Sequence, residues 1–123
     1  MADPRHELGR RGEDLAAKHL IAKGYQVVAR NLVNAIGELD LVALDGETVV
    51  LVEVKTRSRL GRAPSEAVNY RKRRKLTQTA ALFLQSRKWQ NRPARFDVVE
   101  VVCPPGGSTV IRHIPNAFEA VAY

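Results

Sequence analysis

From Glu38 to Lys55 the chain reads ELDLVALDGETVVLVEVK, two apolar stretches meeting at Asp45-Gly46. An Asp-Gly pair between such stretches is a strong hairpin signal. Glu38 to Leu44 alternates at its start and then turns apolar, while Thr48 to Lys55 is dominated by β-branched residues. A strand apolar on both sides belongs in the middle of a sheet covered on both faces. This hairpin therefore demands further strands beside it and helices above and below it.

The rest of the chain supplies them. His6 to Lys23 reads as a helix, with Leu8, Leu15, Ala16, Leu20 and Ile21 at helical spacing and Gly24 as a stop, although Gly9 and Gly12 weaken its first turns. Tyr25 to Arg30 reads as a short strand and Asn31 to Gly37 as a connection. Ser58 to Ser65, with Gly61 and Pro64, reads as a loop. A second helix starts at Asn69, a good N-cap, with Leu76, Thr79, Ala80 and Phe83 as its packed stripe. Arg95 to Cys103 and Thr109 to Ile114 read as strands on either side of the PPGGS turn, and Pro115 starts the tail. A length of 123 residues suits one domain, 1–123. The order is α-β-β-β-α-β-β, and the two helices favour an α/β fold with a central mixed β-sheet flanked by helices.

Several function classes have no support. No apolar run is long enough to cross a membrane, and the first residues carry acids and no apolar signal segment. The single cysteine, Cys103, has no partner within the chain, which fits a reducing cytoplasm; ending an apolar strand, it reads as buried and inert. There is no Gly-rich phosphate cradle, and His6, His19 and His113 lack metal-ligand spacing. Trp89, between Lys88 and Gln90, reads as a packed residue rather than one that stacks on a base.

The acids of the hairpin are more informative. Residues of equal parity share a strand face. If the loop is Asp45-Gly46, paired residue numbers sum to 91, so Glu38 faces Glu53 and Asp40 lies diagonally at about 7–8 Å. If the loop is Asp45 to Thr48, the sum is 93 and Asp40 faces Glu53 at about 5 Å. Both registers set Asp40, Glu53 and Lys55 on one face; a three-residue loop would not. Two carboxylates so placed must either share a proton or share a cation, and hard oxygens suit Mg²⁺ or Mn²⁺. Lys55 brings an ammonium to the same rim, where it can stabilise a phosphate or help a water ionise. On the first helix Glu13 falls within about 20° of Leu20, on the packed face, where an acid needs a partner. Asp14 faces Lys18 and reads as surface. Glu38 reads as a rim residue, and Asp97 as a structural acid paired with an arginine.

Charge along the chain is blocked. Glu38 to Glu53 holds five acids and no base, whereas Arg57 to Lys75 holds eight bases (Arg57, Arg59, Arg62, Arg71, Lys72, Arg73, Arg74, Lys75) and one acid, Glu66. That second block equals the whole chain's net charge of +7. A basic block calls for a polyanion, and an acidic block beside it would repel that partner unless a divalent cation intervened.

Gly37-Glu38-Leu39-Asp40-Leu41-Val42 and Val52-Glu53-Val54-Lys55-Thr56-Arg57 resemble the PD-(D/E)XK nuclease signature, with Leu39 where the signature's name has proline. With Gly12-Glu13 upstream and Arg95-Phe96-Asp97-Val98-Val99 downstream, the chain resembles the YraN family over about Gly9 to Phe118. That family is similar to archaeal Holliday junction resolvases. The resemblance implies a restriction-endonuclease-like core. It implies Asp40 and Glu53 as metal ligands, the Val54 carbonyl as a third, Glu13 as the helix acid of the resolvase branch, and Lys55 as the catalytic lysine. Because resolvases act in pairs, it also implies a homodimer.

The expectation is a Mg²⁺- or Mn²⁺-dependent nuclease acting on branched or otherwise structured DNA. Its site would be Asp40, Glu53, Lys55 and Glu13, with Arg57, Arg59, Arg71, Lys72, Arg73, Arg74 and Lys75 on the DNA. Two other readings compete: a non-catalytic nucleic-acid-binding module, and an interaction protein whose basic face docks an acidic partner.

Overall fold

The computed structural model describes residues 4–58 and 68–121, with side chains from residue 7 onward. Most of the expected loop from Ser58 to Ser65, together with Arg59 and Arg62, lies outside the described residues. The elements are α1 (Pro4–Ala22), β1 (Gln26–Val33), β2 (Glu38–Asp45), β3 (Thr48–Arg57), α2 (Tyr70–Ser86), β4 (Ala94–Val102) and β5 (Val110–Phe118). The strands form one sheet in sequence order. Neighbours are antiparallel except β3 and β4, which are parallel across the connection that carries α2. Among the described residues no helix is long and apolar enough to cross a membrane.

Each sheet face carries one helix. Leu76, Ala80 and Phe83 of α2 pack with Val42, Leu51, Phe96 and Val98 on one face. Ala16, Ala17 and Leu20 of α1 pack with Leu41, Val50, Val52 and Val99 on the other. The alternation along β2 and β3 is what divides these residues between two cores. Trp89 stands edge-on to Phe83 with ring centroids 5.9 Å apart, so it is a packed residue. Cys103 is half-buried rather than buried, because β4 ends one residue before it.

Three differences from the expected boundaries bear on the sheet's edges and its hairpin. β1 runs on to Val33 through a register irregularity near Val28, with Asn31 in the left-handed region at φ 49°. Asn34 then closes the β1–β2 connection: its side-chain oxygen accepts from the N–H groups of Ile36 and Gly37. At the other edge, β5 passes through Pro115 to Phe118, and the residue after the proline, Asn116, also has positive φ. Pro115 is tolerated because β5 is an edge strand with a bulge opposite Phe96/Val98, so no ladder donor is lost. The hairpin combines the two registers considered. Asp45 pairs with Thr48 and Leu41 with Val52, so paired numbers sum to 93, while the loop is the two residues Gly46-Glu47. Gly46 at φ 59° matches a turn that needs glycine first.

One glycine fixes how near α1 comes to the sheet. A Cβ on Gly12 would overlap the Thr56 side chain and stand 2.9 Å from its Cβ. The glycine that weakens helix propensity is therefore what lets α1 touch β3, and it delivers the neighbouring Glu13 to the strand ends.

Candidate active site

The β2–β3 ladder ends at Leu41 and Val52, and one further step in this register sets Asp40 opposite Glu53. There the pairing changes character: Asp40 Oδ2 accepts from the Val54 N–H at 2.8 Å. A side chain has replaced the ladder, and the strands part. Asp40 and Glu53 together border two cavities. One, of about 340 Å³, is lined by Leu8, Gly9, Glu13, Asp40, Glu53, Val54 and Thr56. The other, of about 300 Å³, is lined by Glu38, Asp40, Glu53, Lys72, Lys75 and neighbours. Among the described residues, the acid pair thus stands between a cleft that adds the acid Glu13 and one whose wall adds Glu38 and two lysines.

The electrostatics follow from this crowding. Burial, the adjacent Glu53 charge and the Glu13 charge raise the Asp40 carboxyl from 3.8 to about 7, against the opposing Val54 hydrogen bond and Lys72. Glu53 is buried and meets two ammonium groups at one oxygen: Lys72 Nζ lies 2.5 Å and Lys55 Nζ 3.4 Å from Oε1. Burial and the neighbouring Lys72 pull the Lys55 ammonium below the usual lysine range. Burial also pulls on Lys72, but hydrogen bonding to Glu53 and Lys55, with the charges of Glu53 and Asp40, outweighs it and holds Lys72 above that range.

The donor chemistry suits a small hard divalent cation. Two carboxylates on neighbouring strands repel one another, and a cation between them would remove the penalty visible at Asp40. Among the described residues no three acid, histidine or cysteine side chains stand close enough to hold an ion between them. The close donors are therefore Asp40 and Glu53, with Val54 on the same cavity wall and Glu13 acting on Asp40 at longer range. Mg²⁺ ordinarily keeps several waters and takes only one or two carboxylates.

The basic residues scatter more than their run suggests. Arg71, Arg74 and Lys75 are exposed on α2. Arg73 instead donates to the Val68 carbonyl at 2.7 Å and lies over the Phe118 ring. Lys72 turns into the site; its N–H is capped by Asn69 Oδ1, which fixes the first turn of α2 over Glu53. Arg57 faces Glu100, 3.3 Å from Oε2, and Arg59 lies outside the described residues. Glu38 is exposed at the rim. Asp97 pairs with Arg95 as expected, at 3.0 Å, and also accepts from the Asn116 N–H and meets His113 Nε2 at 2.7 Å. It is fully buried in a cluster that ties β5 to β4.

Sequence reasoning missed the entry of Lys72 into the site, and it missed Glu100 and Arg112. Glu100 had a signal: an acid inside the apolar run DVVEVV has to find a cation.

Fold and site together define an α/β protein with a five-stranded mixed sheet between two helices and an acid pair flanked by lysines at its rim. A profile of UPF0102, described as an uncharacterised protein family, matches residues 12–101. The UPF0102 protein of Symbiobacterium thermophilum is 46% identical over 114 residues, covering 92% of this chain and 97% of its own. That of Nocardia farcinica is 45% identical over 117 residues, covering 93% and 91%. That of Pseudomonas syringae pv. syringae is 41% identical over 118 residues, covering 94% and 96%. The chain belongs to the UPF0102 (YraN) family.

Proposed function

We propose that this protein is a divalent-metal-dependent endonuclease with a restriction-endonuclease-like core, hydrolysing phosphodiester bonds in branched or otherwise structured DNA. The observation that carries the reading is that Asp40 and Glu53 border the same two cavities where β2 and β3 part, with Lys55 on the same face and Lys72 at 2.5 Å from Glu53. A pure binding module gains nothing from carboxylates beside an anionic ligand.

Asp40 and Glu53 would hold Mg²⁺ or Mn²⁺, assisted by the Val54 carbonyl and Glu13. When bound, the ion supplies charge stabilisation at the phosphoryl oxygens and an acidified water. Lys55, beside Glu53 on the same face, would aid activation of the water or stabilise the charge that develops on the phosphate. Lys72 stays an ammonium and offers charge to the phosphate. Base readout has no evident source here, so selectivity would rest on DNA shape.

The test is a nicking assay over flaps, four-way junctions, single strands and duplexes with Mg²⁺ or Mn²⁺, run beside a binding titration. Wild type should cut a structured substrate. Asp40→Asn and Glu53→Gln should cut nothing yet bind DNA in EDTA at least as well, because a repelling charge is gone. Lys55→Ala should lose cleavage and keep metal binding. Equal cleavage by wild type and Asp40→Asn would refute the assignment. Binding without cleavage on every substrate would favour the binding module.

A further inference from the structure

Glu100 sits near the C-terminal end of β4 with 0% of its surface exposed, on the sheet face that carries Glu53 and Lys55. The parallel register pairs it with Lys55 on β3, and the antiparallel register pairs it with Arg112 on β5. Arg112 reaches Oε1 through Nε at 3.1 Å and again through Nη2. From the other side, Arg57 Nε stands 3.3 Å from Oε2, which accepts no well-aligned hydrogen bond among the described residues. One guanidinium would neutralise this buried carboxylate; the second leaves the group with one positive charge in excess. Two guanidiniums drawn to one carboxylate leave a local excess of positive charge that an anion would complement.

Both arginines retain what such an anion needs. Their side chains are 25% and 45% exposed, and a guanidinium has five N–H donors, of which Glu100 takes two from Arg112, while Arg57 stands beside Oε2 as an ion pair without an aligned hydrogen bond. Adjacent strands lie about 4.7–4.9 Å apart, so the row from Lys55 through Glu100 to Arg112 spans two strand spacings, about 10 Å. The pair is thus a neighbour of the acid–lysine site and not part of it.

We propose that Arg57 and Arg112, oriented by the buried Glu100, form a clamp for a backbone phosphodiester of the DNA strand, adjacent to the phosphate held at Asp40, Glu53 and Lys55. This rests on the nuclease reading for the identity of the strand. It routes the strand across the ends of β3, β4 and β5 rather than along the exposed side of α2. Glu100 is a positioning residue, since it touches the arginines and not the phosphate.

The test compares wild type, Arg112→Gln, Arg112→Lys and Arg57→Gln for binding of labelled four-way junctions against salt in Ca²⁺, with Mn²⁺ affinity measured by calorimetry. Arg112→Gln and Arg57→Gln should each weaken DNA binding about tenfold and flatten the salt slope by about one, leaving Mn²⁺ affinity unchanged. Arg112→Lys, which keeps a charge on Glu100, should recover part of that loss. Should Arg112→Gln fail to fold, Arg57→Gln decides alone, because Arg112 still neutralises Glu100. Unchanged affinity and slope in the folded variants would overturn the clamp while leaving the nuclease reading intact; a wild type that binds no DNA would overturn both. Stabilisation of wild type but not Arg112→Gln by inorganic phosphate, without any loss of DNA binding in that variant, would assign the clamp to free phosphate and overturn the strand contact.

Discussion

Asp40→Asn should make the protein more stable at neutral and alkaline pH. Folding raises the Asp40 carboxyl from 3.8 to about 7, chiefly through burial and then the Glu53 charge. An acid raised in this way binds a proton more tightly folded than unfolded, so stability is highest at low pH and is lost as pH climbs between those two values. At about 1.4 kcal/mol per pH unit, the ionised carboxylate costs the fold up to about 4 kcal/mol above pH 7. Asparagine carries no charge and keeps an oxygen to accept from the Val54 N–H. Thermal unfolding in EDTA should show the two proteins alike near pH 4 and diverging through the window. Above about pH 7 the gap should level off with Asp40→Asn more stable by on the order of 10 °C. Mg²⁺ or Mn²⁺ should close the gap from the wild-type side, because the cation compensates the charge, and should leave Asp40→Asn unmoved. Taking the difference between the two proteins removes the contribution of His19, common to both. A gap independent of pH, or a less stable Asp40→Asn at pH 8, would refute the reasoning that crowded anions dominate this site.

Lys72→Met should raise Mn²⁺ affinity several-fold by removing an ammonium that competes for Glu53, and calorimetric titration would show it. Gly12→Ala should lower stability by about 1–3 kcal/mol despite alanine's better helix propensity, because the new methyl overlaps Thr56. Thr56→Ala in the same chain should restore part of that loss in thermal unfolding.

Several features were legible because they are written in neighbouring residues. Alternation along Glu38 to Lys55 places Asp40, Glu53 and Lys55 on one face in both registers that a two- or four-residue loop would give. Asn69 before a periodic stripe marks the start of α2, and its side chain caps Lys72 as such a residue should. Leu76, Thr79, Ala80 and Phe83 are all buried, as their helical spacing requires. The ends of the edge strands were less legible, since β1 and β5 are extended by pairing with a neighbour rather than by their own propensity.

What the sequence by itself determined is which residues share a face, because a strand repeats every two residues and a helix every 3.6 whatever surrounds them. What only the tertiary structure decided is which charges meet across elements. Five consecutive bases, Arg71 to Lys75, look equivalent in the sequence, yet docking of α2 sends Lys72 to Glu53 and Arg73 to Phe118 and leaves Arg71, Arg74 and Lys75 exposed. Likewise Glu100 and Arg112 are twelve residues apart and meet only because β5 folds back on β4. Local periodicity fixes the direction a side chain leaves its own element; the partner it finds depends on the angle and depth at which a second element packs, and that is set by the whole core.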